Sequence, residues 1–462
     1  MSELQLTLLG EDGALRRIPL AEAPTFARPT EPLRSRVVYA AVHVVPLVHG
    51  DNTPGAPARI DWDATLAFRR TMWSRGLGVA DAMDTAQRGM GLDPAATREL
   101  ITRTADAARA ALEDPEISAV FPAGAMVSDL VVAGVNTDQR EERDLSLDEI
   151  VEAYVEQLRA TERAGAGAVL MASRHLARTA RSAADYEEVY RRVLAEAAGP
   201  VVLHWLGTVF DPQLEGYFGS DDPAPGADTL LRIIEADPTR IRGVKMSLLD
   251  DAAEIAVRER LPEGVRMLTG DDFHFSHLIV GDGTTTPAAH GGAAAADGTT
   301  APADGAQVRG EYSDALLGAF AATAPAASAA VQALDRGDVD EARRILDAAE
   351  QLGRHVFSAP TYHYKTGVAF LAWLNGHQQA FTMVGGMHSA RSLPHLSRTI
   401  ELAAATGNLE DPALAAERWH AMLRLAGYEL DSATDSAAGS GGATAASEDA
   451  AASRTARTGD AA

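Results

Sequence analysis

Short apolar runs alternate with amphipathic segments along most of this 462-residue chain. This order is typical of parallel β-strands joined by helices, because each helix returns the chain to the same end of the sheet. Eight apolar runs are candidate strands, and they span 37–45, 77–83, 130–135, 168–172, 201–206, 241–246, 265–269 and 315–320. Eight such units over roughly 300 residues predict an α/β fold, a (β/α)8 TIM barrel.

Amphipathic stretches between these runs supply the connecting helices. They cover 63–75, 95–112, 148–164 and 184–198. Ser146 is a candidate N-cap for the third, with Glu149 three residues on, as a capping box requires. A doubly wound open sheet is the alternative architecture. No Gly-x-Gly-x-x-Gly follows the first run to favour it.

Composition divides the chain into four regions. We expect an N-terminal extension over 1–34, the barrel over 35–330, additional C-terminal helices packed on the barrel over 331–430, and a tail over 431–462. A segment within the barrel region, 281–310, is Gly, Ala, Thr and Asp with few bulky apolar residues, and the tail is similar. Such compositions bury too little apolar surface to offset their ordering entropy, so we expect disorder in both.

Charge and composition exclude several classes of protein. The net charge of -24 argues against binding nucleic acid or an anionic membrane surface. The chain has no cysteine, which excludes disulfides, thiolate metal ligands and a cysteine nucleophile. Residues 1–10 lack a basic signal-peptide segment, and no run of 18 residues is continuously apolar. We therefore expect a cytoplasmic protein.

Lysine is nearly absent, with only Lys245 and Lys365 among 41 basic residues. Arginine stays protonated, whereas a buried lysine can lose its proton and attack a carbonyl. Lys245 lies in the apolar run 241–246, which suggests a buried strand. It is either a lysine at a strand end that reaches solvent or one kept for amine chemistry.

Polar side chains follow the predicted strands, where the active site of a barrel lies. In chain order they are Asp84, Thr85 and Gln87; Asn136; Ser173, Arg174 and His175; His204; Lys245; and Asp271 and Asp272, with His274 and His277 just beyond. One rim of the barrel is therefore expected to be polar.

Several of these segments resemble the dihydrodipicolinate synthase and N-acetylneuraminate lyase family of class I aldolases. Ile-Arg-Gly-Val-Lys at 241–245 is similar to the strand-six segment whose lysine forms a Schiff base. Thr-Gly-Asp-Asp at 269–272 is similar to the family's motif after strand seven, and 164–170 to its fourth-strand entry. Tyr-Lys-Thr-Gly at 364–367 resembles a lysine-bearing segment in its C-terminal helices. The resemblance covers about residues 35–380.

The resemblance implies a barrel lyase in which Lys245 forms an iminium with a small carbonyl substrate, a keto acid or a sugar-derived aldehyde. The chemistry of that family needs no cofactor. The resemblance also implies a homo-oligomer, either a dimer or a tetramer. Two departures are visible. The family's Gly-Thr-Thr-Gly-Glu loop is Met-Asp-Thr-Ala-Gln at 83–87, in which only Thr85 matches, and His204 replaces the tyrosine that shuttles protons. The chain is thus expected to be a divergent branch.

The other polar residues that follow the predicted strands can also be given expected roles. His204 is either the general acid/base, since imidazole titrates near neutral pH, or a core histidine. Thr85, Gln87, Asn136, Asp271 and Asp272 are expected to bind substrate. Thr85 and the two aspartates have a second interpretation as turn or cap residues. Lys365 is expected to be structural, since it lies outside the barrel strands.

Two other functions remain open on the sequence. Asp271, Asp272, His274 and His277, with His175 and His204 on the same rim, form a candidate divalent-metal site, as in class II aldolases or metal-dependent hydrolases. A barrel that binds a small molecule without catalysis is the other possibility.

Overall fold

The computed structural model describes residues 4–20, 24–283 and 311–430. The strands of this part of the chain are β1 Gln5–Leu9, β2 Leu15–Pro19, β3 Val38–Ala41, β4 Gly78–Asp81, β5 Val131–Val135, β6 Gly167–Met171, β7 Val201–Leu206, β8 Ile241–Ser247, β9 Arg266–Thr269 and β10 Asp314–Leu317. The α-helices are α1 Trp62–Trp73, α2 Pro94–Leu112, α3 Pro115–Ser118, α4 Val127–Leu130, α5 Leu147–Ala164, α6 Arg174–Thr179, α7 Ala183–Ala195, α8 Pro223–Ala236, α9 Asp251–Arg258, α10 Phe275–Val280, α11 Phe320–Asp335, α12 Val339–Val356, α13 Tyr364–Leu374, α14 Leu393–Ala405 and α15 Pro412–Leu425.

Strands β3 to β10 form a closed, all-parallel barrel in which β10 returns to pair with β3. The (β/α)8 barrel and the additional C-terminal helices are confirmed. Each of the eight predicted runs overlaps one barrel strand, and the first, second and last runs extend two or more residues beyond the strand's end. The apolar character of 315–320 continues beyond β10 because α11, which begins at Phe320, is also buried.

Alternation along the strands gives the barrel its interior. Inward side chains such as Val202, Leu268 and Leu316 form one apolar cluster inside the barrel, while outward side chains pack against the helices. Lys245 pairs with His204 on one side and Leu268 on the other. Since paired residues of parallel strands point to the same face, both Lys245 and His204 point into the barrel.

Several helices begin at a residue whose side chain caps them. Ser146 Oγ accepts a hydrogen bond from the Glu149 backbone N–H (3.3 Å), and the Glu149 carboxylate accepts one from the Ser146 backbone N–H (2.8 Å). The predicted capping box is therefore present. Asp61 and Asp93 cap α1 and α2 by accepting backbone N–H hydrogen bonds from their first turns, so these two helices start at defined positions.

The N-terminal residues form an antiparallel hairpin, β1–β2, that packs on the C-terminal helices. The Thr7 carbonyl accepts a hydrogen bond from Trp419 Nε1 (2.7 Å), and the Leu9 backbone N–H donates to Ser397 Oγ (2.7 Å). The two ends of the described chain thus form one layer. The expected boundary after residue 330 falls inside α11, which joins the barrel to this layer.

Two expectations of disorder concern residues that the structure does not describe. The tail at 431–462 lies wholly outside the described residues, and the segment 281–310 lies outside them from residue 284 onward. Its described flanks are close together, because a Cβ added to Gly281 would lie 2.2 Å from the Glu311 carbonyl oxygen. The chain re-enters at the start of β10, at the barrel end opposite the strand C-termini.

Replacing 284–310 with a short Gly-Ser linker is expected to change the free energy of unfolding by less than about 1 kcal/mol. The flanks already meet, and the entropy of closing a loop depends only weakly on its length. Thermal and urea unfolding of the deletion variant measure the change. A loss of more than about 3 kcal/mol would show that the segment contributes to the core.

No helix in the described part of the chain is long and apolar enough to cross a membrane.

Candidate functional site

Lys245 lies inside the barrel, near the C-terminal end of β8. Its residue is 6% exposed, and among the described residues its Nζ makes no hydrogen bond or ion pair. Burial lowers the pKa of Lys245, and the carboxylates of Asp84 and Asp272 act against that shift. The amine is therefore biased toward its neutral, nucleophilic form.

His204 lies beside Lys245 on β7 and is fully buried. Its Nε2 lies 3.2 Å from Ser247 Oγ, and its Nδ1 has no hydrogen-bond partner in the described structure. Burial lowers the pKa of His204 well below its usual value, and Lys245 adds to the effect. Burial beside an amine therefore favours the neutral imidazole, the form that can accept a proton, because an imidazolium here would lose its hydration.

The two aspartates after β9 have different surroundings. Asp272 accepts a hydrogen bond from the Ala319 backbone N–H (2.9 Å), and burial raises its pKa to about 8 while Lys245 acts in the opposite direction. Asp271 instead accepts from the backbone N–H of Phe273 (2.9 Å) and contacts His274 Nδ1 (2.9 Å). Asp272 is thus the aspartate that shares the electrostatic environment of Lys245, while Asp271 stabilises the turn.

Gly270 allows β9 to approach the lysine closely. A Cβ at this position would lie 2.1 Å from Ser247 Oγ, 2.6 Å from the Met246 carbonyl oxygen and 2.9 Å from Lys245 Cε. Any other residue would clash with backbone as well as side chain. The glycine of the Thr-Gly-Asp-Asp segment is therefore required by the packing around Lys245.

Helix α13 covers the mouth of the barrel. The hydroxyl of Tyr364 lies 2.7 Å from Thr85 Oγ1, and its ring stacks on Phe357 with centroids 4.1 Å apart. A Cβ on Gly318, at the end of β10, would lie 3.3 Å from Thr85 Oγ1. Burial raises the pKa of Tyr364 well above its usual value, and Asp84 acts in the same direction. Thr85 thus lies at the mouth of the barrel and is hydrogen-bonded to the protonated hydroxyl of Tyr364.

Tyr364 was not predicted as a site residue, although it directly precedes Lys365 in a segment singled out by its lysine. Asp84 was noted on the rim without a role. Both are separated from Lys245 by more than a hundred positions, and only the closed barrel and its covering helix bring them together. In the sequence, the rare lysine at position 365 is the signal that could have drawn attention to Tyr364.

Gln87 and Asn136 lie on the rim, and their amides bind the backbone. Gln87 has a left-handed backbone (φ 63°), and its Nε2 donates to the Val384 carbonyl (2.8 Å). Asn136 Nδ2 donates to the Ala172 carbonyl (3.2 Å), and its Oδ1 accepts from the Thr137 backbone N–H (2.6 Å). These contacts fix loops around the mouth and leave few polar atoms for a ligand.

The residues of the candidate metal site are dispersed. His277 lies 2.9 Å from Asp251, and His175 bonds to Thr137 Oγ1 (2.8 Å). Within 4–20, 24–283 and 311–430, no group of three or more His, Asp or Glu side chains has an arrangement that could hold a metal ion. His274 and His277 are neighbours, with ring centroids 6.2 Å apart, but the set as a whole does not converge on one point.

Comparisons with known proteins agree with the fold. The family model "Protein of unknown function (DUF993)" matches residues 6–428. The comparison with curated proteins gave no match.

Solved structures of dihydrodipicolinate synthase share the architecture. The Aquifex aeolicus enzyme is 13% identical with a TM-score of 0.51, and the alignment covers 81% of this chain and 99% of that chain. The Bacteroides thetaiotaomicron enzyme is 14% identical with a TM-score of 0.53, covering 79% and 98%. At such identities the likeness establishes the fold alone.

Proposed function

We propose that this chain, which belongs to the DUF993 family of proteins of unknown function, is a lyase of the class I aldolase type. The observation that carries the proposal is the burial of an unpaired lysine amine inside a barrel, near the C-terminal strand ends. Among barrel enzymes this rim is where the chemistry takes place. The substrate is a small carbonyl compound, a keto acid or a sugar-derived aldehyde.

The chemistry begins with the neutral amine of Lys245. It adds to the substrate carbonyl carbon, and the carbinolamine takes up one proton and loses water to give an iminium. A base then removes a proton from the hydroxyl on the departing carbon. The electron pair of the C–C bond β to nitrogen moves to the iminium, leaving an enamine on Lys245 and releasing an aldehyde or ketone. The reverse sequence forms the bond.

Asp272 and His204 are the groups beside Lys245 that would assist. With a pKa raised to about 8, the Asp272 carboxyl can donate a proton near neutral pH and take one back. The neutral imidazole of His204, bonded to Ser247, can accept a proton from a substrate hydroxyl. This divides the acid and base roles between two buried groups with oppositely shifted pKa values.

A His204→Phe variant is expected to form the iminium but to turn over roughly 10²–10⁴-fold more slowly, the usual contribution of general acid–base catalysis. Phenylalanine keeps a planar ring and removes both ring nitrogens. Steady-state turnover and adduct mass are measured on the same preparation. Normal turnover would show that His204 is a core residue.

Borohydride trapping tests the proposed function. The protein is incubated with keto acids and sugar aldehydes, reduced, and read by intact mass, beside Lys245→Met and Lys365→Met variants. At saturating concentration, we expect at least one carbonyl compound to add its mass to the wild type and to Lys365→Met, with no addition to Lys245→Met. If no compound gives an adduct, or if Lys245→Met traps equally well, the proposed function is wrong.

A further inference from the structure

The second lysine, Lys365, is also buried. It lies in the first turn of α13 and is 1% exposed. Its Nζ donates to the Tyr362 carbonyl oxygen (2.8 Å), lies 3.3 Å from Met90 Sδ and sits 4.8 Å from the centroid of the Tyr364 ring. Within the described chain it forms no ion pair with a carboxylate. Both lysines of this chain are therefore buried amines without an ion-pair partner among the described residues.

Lys365 lies over the mouth of the barrel. Its charge is influenced by Asp84, in the loop after β4, and by Asp211, in the loop after β7. These loops follow the second and fifth strands of the barrel, so they approach Lys365 from well-separated parts of the rim. Asp84 also influences Lys245. Contacts place the start of α13 over the same loop, because Lys365 Nζ lies 3.3 Å from Met90 Sδ and the neighbouring Tyr364 hydroxyl lies 2.7 Å from Thr85 Oγ1.

An ammonium in this position is costly. Burial lowers the pKa of Lys365 to about 8, against the opposing effect of Asp84 and Asp211, so the cation still predominates at pH 7. The first turn of a helix disfavours a positive charge. Asp211 is already paired with Arg174 at 2.6 Å. What the Lys365 environment lacks is an anion in direct contact.

We propose that Lys365 binds an anionic group, a carboxylate or a phosphate, of the carbonyl substrate whose carbonyl carbon reacts with Lys245. This inference rests on the proposed function and specifies its substrate class. An ammonium with one carbonyl partner has N–H donors to spare, and a charged acceptor makes the stronger hydrogen bond. The covering helix α13 would then sense the substrate directly.

Matched carbonyl pairs test the inference by trapping. Acetone is compared with pyruvate, and glyceraldehyde with glyceraldehyde 3-phosphate, and the half-saturating concentration of each is measured. For each pair, the half-saturating concentration of the anionic compound is divided by that of the neutral compound. In Lys365→Met this ratio is expected to rise roughly 10- to 100-fold for the pair that carries the recognised anion. Lys365→Arg, which keeps the charge, should restore part of the difference. An unchanged ratio for both pairs overturns the inference.

A second measurement separates this inference from the proposed function. Lys245→Met, which has no amine at position 245 to react, is titrated calorimetrically with inorganic phosphate and with acetate, beside the Lys245→Met/Lys365→Met double variant. Thermal melts check that both are folded. Binding lost only in the double variant supports the anion site even if no carbonyl is ever trapped. Equal binding by both variants, or binding of neither anion, overturns it.

Discussion

A Lys245→Met variant is expected to lose all adduct formation and turnover, and to be more stable than the wild type by about 1–3 kcal/mol near pH 7. Methionine fills the same space without an amine that lacks a hydrogen-bond partner. Its side chain suits the apolar interior beside Leu268. Chemical denaturation and borohydride trapping on one preparation measure both effects. A less stable variant would show that the amine stabilises the fold.

The gain in stability is expected to depend on pH. Burial lowers the pKa of Lys245 in the folded protein, so the unfolded chain binds more protons below about pH 10.4, the pKa of an exposed lysine. The contribution of Lys245 to wild-type stability therefore rises with pH until about pH 10.4. The difference between the variant and the wild type should shrink over the same range, and a difference that grows with pH would contradict the assignment.

An Arg69→Met variant is expected to lower the free energy of unfolding by about 3–5 kcal/mol. Arg69 of α1 pairs with Asp81 at the end of β4, with Nη2 2.7 Å from Oδ1, and both side chains are fully buried. The guanidinium also donates to the carbonyls of His43 (3.0 Å) and Thr65 (2.9 Å). Removing it leaves the buried Asp81 carboxylate with only the Ala82 backbone N–H as a donor (2.9 Å), and two carbonyls lose the hydrogen bond that the guanidinium gave them.

The matched control is Arg191→Met. Arg191 pairs with Glu188 on the surface of α7 at 2.8 Å, with side chains 62% and 46% exposed. An exposed pair of this kind contributes at most about 1 kcal/mol. Urea unfolding should therefore separate the two arginine variants clearly. Equal losses would mean that the Arg69–Asp81 pair gains nothing from burial.

The barrel could be predicted from sequence because its determinants are local. Each strand is a short apolar run, and α5 begins at a recognisable cap, Ser146, so periodicity located the elements and capping located the start of this helix. The positions at which strands and helices begin and end were less predictable. The apolar run after Asp314 continues from a strand into a helix, and only packing decides where one ends. The N-terminal hairpin depends on partners about 400 positions away, such as Trp419.

The candidate site was partly predictable for the same reason. Lys245 and His204 stand out because their strands are recognisable and their positions on those strands set the rim they face. The contact between Thr85 and Tyr364 joins residues 279 positions apart, and no local pattern indicates it. The protonation of His204 also depends on burial, which the surrounding strands determine. Composition did indicate Lys365, although the expected role was structural.

Lys245 is the amine that we propose reacts with a carbonyl substrate. Peptide mapping of the borohydride-reduced adduct by tandem mass spectrometry tests this proposal most directly, because the chain has only two lysine amines and one N-terminal amine. We expect the added mass on Lys245, with Lys365 and the N-terminus unmodified. Added mass on Lys365 or on the N-terminus, with Lys245 unmodified, would contradict the proposal.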